Sequence, residues 1–131
     1  MNPYYGDLHT HCGLSYGHGS LEDALRNARE QLDFCSVTGH ALWPDMPAET
    51  PEIQPILDFT RRGFARVRQQ WDAAQRLFEQ FQDDNRFSTF PGFEMHSCGD
   101  GDYTVVYREP GGDILEVSGL SELQKNVARL R

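Results

Sequence analysis

Asp7-Leu8-His9-Thr10-His11 and Phe34-Cys35-Ser36-Val37-Thr38-Gly39-His40 are the two stretches whose reading decides the fold. Tyr4 to Thr10 reads as a short strand, and Phe34 to Thr38 as a second β-prone run ending at Gly39-His40. Between them a loop with Gly13, Gly17 and Gly19 leads to Ser20, a helix N-cap by residue type. Glu22 and Asp23 follow in the first turn, where the helix dipole favours acids. Leu21, Ala24, Leu25, Ala28 and Leu32 then fall on one face of an amphipathic helix. Strand, helix and strand within roughly 35 residues make a βαβ unit. A right-handed crossover and a parallel sheet are the geometry expected of it.

Working outward, Ala41 to Pro55 carries Pro44, Pro47, Pro51 and Pro55 and reads as a loop. It starts directly after His40, which suits the rim or lid of a site. A long helix is predicted over residues 56–82. Its Phe64, Val67, Trp71, Ala74, Phe78 and Phe81 recur at helical spacing and read as core rather than as a cofactor pocket. Arg86 to Glu94 reads as a third strand bent at Pro91-Gly92, and Tyr103 to Tyr107 as a fourth. After a turn at Pro110-Gly111-Gly112, Ile114 to Val117 is expected to pair back as a hairpin strand. Leu120, Leu123, Val127 and Leu130 mark a final helix.

The 131 residues are read as one α/β domain, 1–131. A net charge of −8, from 12 basic and 20 acidic residues, argues against a nucleic-acid surface, which needs a Lys/Arg footprint. Arg61, Arg62, Arg66 and Arg68 cluster on the long helix and read as a solvated face, with phosphate binding as the minority reading. No apolar run approaches the roughly 20 residues of a membrane span, and no signal-peptide pattern opens the chain, so the expected location is the cytoplasm. Three cysteines, Cys12, Cys35 and Cys98, form neither a disulfide framework nor a zinc-finger pattern. Cys35 reads as a small buried hydrophobe. Cys12 and Cys98 stand beside candidate ligands without themselves being favoured as ligands.

The chemistry is carried by histidine. Alternate residues of a strand share a face, so Asp7, His9 and His11 are expected to project together, with Leu8 and Thr10 facing the other way. Two such imidazoles can converge on one divalent cation, and Asp7 can act behind them by orienting a ring. His-x-His alone is a weak signal, because two polar strand residues produce it by chance. His40 at the end of the second strand and Glu94 at the end of the third strengthen it. In parallel α/β folds these strand ends gather on one side, where active sites lie. A nitrogen and oxygen donor set without thiolate suits Zn, Mn or Fe.

Gly6-Asp7-Leu8-His9-Thr10-His11, Leu14-Ser15-Tyr16-Gly17, Leu32-Asp33-Phe34 through Val37-Thr38-Gly39-His40, and Phe90-Pro91-Gly92-Phe93-Glu94 resemble the opening motifs of the PHP (polymerase and histidinol phosphatase) superfamily. The resemblance is nearest to a branch of predicted metal-dependent phosphoesterases, and it covers residues 4–107. It implies the N-terminal half of a distorted seven-stranded (β/α) barrel, a partial barrel here. It also implies two or more divalent ions and hydrolysis of a small-molecule phosphoester by metal-activated water. Carried over by position, His9 and His11 would bind one ion, His40 another, and Glu94 would bridge two. The chain departs from the pattern at Tyr16 and at Gly39, where the family carries acids. His18 is a candidate replacement for the first, against a plain loop histidine. His96 or Asp102 is a candidate for a family histidine expected near residues 102–104. Later family motifs would lie beyond Arg131. The expectation is therefore a truncated domain whose open sheet edge pairs with another chain or with a C-terminal half. Three readings follow: a metal-dependent phosphoesterase, a non-catalytic PHP-like module that binds a ligand or partner, and a protein with a structural zinc. No Gly-x-Ser-x-Gly elbow or phosphate loop is present.

Overall fold

The computed structural model describes residues 3–130 as a mixed α/β fold, a curled half-barrel sheet with three helices. The order is β1 (Gly6–Thr10), α1 (Leu21–Gln31), β2 (Phe34–Leu42), α2 (Gln54–Phe81), β3 (Ser88–Thr89), β4 (Gly92–Met95), β5 (Tyr103–Val106) and α3 (Leu120–Arg129). β1, β2 and β4 are parallel neighbours, β3 pairs with the start of β2, and β5 closes the path antiparallel to β4. The β1–α1–β2 unit is thus the parallel crossover that its length predicts. β1 and β5 are the edges of the sheet among the described residues. None of the described helices is long and apolar enough to cross a membrane.

Local chemistry explains the first helix. Ser20 is the N-cap, its Oγ accepting the Asp23 amide at 3.0 Å, and Leu21 and Leu25 are its buried positions. The long helix runs 54–81, with Pro55 in its first turn, where proline's missing N–H leaves no bond unmade. Val67, Trp71, Ala74 and Phe78 are buried along it and join Cys35, Val37, Ala41 and Phe93 in one core. Truncating Phe78, 1% exposed, to alanine costs about 3–5 kcal/mol by transfer and cavity effects together. Since Cys35, Val37 and Ala41 point into that core, the period of two turns Ser36, Thr38 and His40 to the hollow face of the sheet.

Three expectations change. The third strand is two pieces, β3 and β4, both parallel to β2. Pro91 stands between them and has no N–H for the ladder. The anticipated hairpin strand at Ile114–Val117 does not form. Side chains of α2 hold this segment instead. Trp71 donates its indole N–H to the Gly112 carbonyl at 2.7 Å, Gln75 accepts the Gly111 amide, and Arg68 pairs with Glu116. Finally, strict alternation breaks in β1. Asp7 pairs with Cys35 and Thr10 with Val37, so three steps of β1 oppose two of β2. That is a bulge, and Leu8 lines the same hollow as Phe34 and Phe90 rather than the opposite face.

Candidate metal centre

The register of the sheet builds the site. His40 on β2 is the direct parallel partner of Glu94 on β4, so two donors arrive side by side from the sheet's middle. β1 delivers His9, with His11 one residue past its end. His96 follows β4 by one residue. The structure therefore brings His9, His11, His40, Glu94 and His96 together at one end of the sheet.

Glu94 is the centre of this group, with a side chain only 5% exposed. Its Oε2 lies 3.0 Å from His40 Nδ1 and 3.3 Å from His11 Nε2, and its Oε1 lies 3.8 Å from His9 Nε2. The His9 and His11 Nε2 atoms are 3.4 Å apart. Donors placed about 2.0–2.1 Å from a tetrahedral zinc stand about 3.3 Å from one another, so the His9, His11 and Glu94 spacings match such a ligand set. Among the described residues, two groups of three donors could hold an ion: His9, His11 and Glu94; and His40, Glu94 and His96.

Unmet polar atoms say the same. His40 Nδ1 and Glu94 Oε2 are close, yet neither is aligned for a hydrogen bond, and both are buried without a partner. Buried polar atoms of native proteins are nearly always paired, and each exception needs a reason. Atoms that converge without bonding one another are placed as ligands to a shared third atom would be. The donor set, imidazole with carboxylate, fits a borderline divalent cation.

Desolvation shapes the charge of the group. Burial pushes the His40 imidazole down to about 3, helped by His96 and His11, so it is a neutral lone-pair donor at ordinary pH. Burial, with His9 and His96 beside it, likewise lowers His11. Burial raises Glu94, against the opposing pull of His9 and His96. Imidazoles that resist protonation around a carboxylate short of positive charge make a place that favours an incoming cation.

The surrounding residues depart from expectation in several places. Asp7 does not orient an imidazole: its Oδ1 accepts the His9 backbone amide at 2.8 Å. The hydroxyls that meet His9 Nδ1 are those of Thr38 at 3.1 Å and Thr104 at 2.9 Å. Thr38 was findable, since it precedes His40 by two on the same strand face. Thr104 was not, because only the β4–β5 register sets it opposite Glu94. His18 is exposed and belongs to neither group of donors. Asp102 does not take a ligand's place: its Oδ1 bonds His96 Nδ1 at 2.9 Å and the Ser97 amide at 3.2 Å. Gly39, where the resembled pattern has an acid, faces α2; a Cβ there would stand 3.2 Å from Val67 Cγ2. A side chain at that position points away from the cluster.

Tyr16 is the residue that sequence reasoning undervalues. Its hydroxyl lies 2.5 Å from His96 Nε2, and its ring stacks on His40 with centroids 4.4 Å apart. Burial, with Glu94 and Asp102 nearby, pushes its phenol well above the usual range. Cys12 and Cys35 are buried and Cys98 is exposed, all three as free thiols outside both donor groups. Of the arginine cluster, Arg61 pairs with Glu49, Arg66 bonds the Ser15 carbonyl, and Arg68 bonds the Ala41 carbonyl and Glu116. Arg66 thus braces the loop after β1 and Arg68 the end of β2, rather than forming a solvated face. The chain matches no known family profile and no curated protein.

Proposed function

We propose that this chain is a metal-dependent hydrolase, with phosphoesters as its substrate class and His9, His11, His40 and Glu94 as the residues that hold the metal. The observation that carries the reading is the convergence of these side chains from three strands on buried, unpaired polar atoms. A divalent cation bound there would supply Lewis acidity and lower the pKa of an attacking water.

The chain's own residues prepare that chemistry. The Thr38 and Thr104 hydroxyls hold His9 through Nδ1 and leave Nε2 facing Glu94 and His11. Such outer partners fix the tautomer and orientation of a ligating ring. His40 stays neutral and is stacked against His11 and His96, at centroid distances of 4.6 and 4.0 Å, so its donor atom does not swing away. Asp102 holds the Nδ1 proton of His96, and His96 in turn holds Tyr16 at the edge of the centre. Phe59 packs against Tyr16 and Trp43 against His96, each at a centroid distance of 5.5 Å.

The test is direct. Purified chain stripped with chelator and dialysed against Zn or Mn is expected to regain metal and to hydrolyse a generic aryl phosphate. Metal uptake without turnover on mono- and diester probes would favour the second reading, a metal-holding module that binds a ligand or partner. One specific observation speaks for that reading: among the described residues, no Lys or Arg hydrogen-bonds or ion-pairs with the cluster, so substrate charge would be met by the metal.

A further inference from the structure

We infer that the centre takes a single divalent ion, at His9, His11 and Glu94, and that Tyr16 and Asp102 together close the second place formed by His40, Glu94 and His96. This rests on the metal-centre reading above and narrows it to three of its four ligands, since His40 then holds no ion in the wild type. An imidazole has two nitrogens, and both of those on His96 are engaged: Nδ1 with Asp102 at 2.9 Å and Nε2 with Tyr16 at 2.5 Å. An ionised carboxylate can only accept, so Nδ1 carries the proton and Nε2 is the acceptor for the phenol O–H. No lone pair on His96 is left for an ion. Without it the second place has only His40 and Glu94, and Glu94 already serves the first. Two shared donors fall short of the three that even an open zinc site keeps.

Tyr16 is built into this position. Its ring and that of His96 are nearly parallel, at 11°, with centroids 6.4 Å apart and the hydroxyl 2.5 Å from Nε2. It stacks on His40 at 9° and meets Phe59 at 5.5 Å. Gly63 of α2 makes room for it: a Cβ on residue 63 would come within 2.6 Å of Tyr16 Cδ1. His9 and His11 have no such cap. The ring nitrogens of theirs that face Glu94 meet only the cluster itself.

The experiment is metal stoichiometry. Chelator-stripped protein is dialysed to equilibrium against Zn²⁺ and the bound metal is counted by elemental analysis. Wild type is expected to hold one ion per chain, Tyr16→Ala two, and Tyr16→Ala with His96→Ala one again, each variant checked for native circular dichroism. Should Tyr16→Ala not fold, wild-type protein labelled with ¹⁵N-histidine answers the same question. The first equivalent of Zn²⁺ should move the His9 and His11 ring nitrogens and leave His96 Nε2 unmoved. Two ions in the wild type, one ion in folded Tyr16→Ala, or a shift of His96 Nε2 with the first equivalent overturns the single-ion inference alone. A wild type that takes no metal overturns it together with the metal-centre reading.

Discussion

Glu94 has two flanks. On one, His9 comes from an edge strand and His11 from the residue after its end, their side chains 49% and 30% exposed; the Thr38 and Thr104 hydroxyls stand behind His9, and both Nε2 atoms face Glu94 and each other. On the other, His40 comes from the middle of the sheet, 11% exposed, and His96 is bonded at both nitrogens. The donor chemistry of the two flanks is the same, yet their availability differs. Hydrogen bonding separates His9 from His96: partners on the far nitrogen alone aim the first at an ion, and partners on both nitrogens withdraw the second. A count of histidines near a carboxylate therefore overstates how many ions a site can hold.

The comparison breaks most completely if the open flank is removed. His9→Ala with His11→Ala should abolish metal uptake and any metal-dependent turnover. The melting temperature of the metal-free protein should change little, since both side chains are partly exposed and cover no core; equilibrium dialysis and thermal melts check this. Retained uptake in that double variant would place the ion elsewhere. Next in size, Thr38→Val with Thr104→Val keeps the shape and removes both hydroxyls behind His9. Metal affinity should fall by about 10–100-fold, measured by competition with a chelating dye.

The closed flank is sharpened by pH. Unfolded His40 takes its proton near 6.5, whereas the folded ring stays neutral down to about 3. Between those values the unfolded state binds more protons, so this contribution to stability is whole above pH 6.5 and is lost as pH falls toward 3. Its slope is at most about 1.4 kcal/mol per pH unit. Glu94 acts with the opposite sign, because its raised pKa lets the folded state keep a proton that the unfolded state has already released. Denaturant melts of metal-free wild type and His40→Leu across that window should show a shallower acid dependence in the variant. The smallest effect lies far from both flanks. Ser20→Ala removes the α1 cap, costs about 1 kcal/mol, and should lower the melting temperature by a few degrees while leaving metal affinity unchanged.

Much of the scaffold is legible in the sequence. Ser20 announces the start of α1, and the spacing from Phe64 to Phe78 predicts the buried face of α2, because capping and helical period are local properties. His9, His11, His40 and Glu94 are legible as donors for a related reason: each ends a short β-prone run, and parallel strands bring such ends together. Three features resist this reading. The bulge at Asp7–Thr10 breaks the alternation that would have placed Leu8 outside the hollow. The 110–117 segment has strand-like residues but meets α2 side chains before it can meet an edge. His96 and Asp102 look like spare ligands by type and are a bonded pair by position.

Residue chemistry and short-range period, both written in the order of amino acids, determine on their own that this chain makes a parallel α/β unit with imidazoles and a carboxylate at its strand ends. Only the tertiary structure decides which of those donors is free. That depends on Tyr16 crossing from the loop after β1 to reach His96, on Gly63 leaving it space, and on Thr104 arriving opposite Glu94. Each is a meeting of residues far apart in the chain, fixed by packing and register, and no local pattern carries that information.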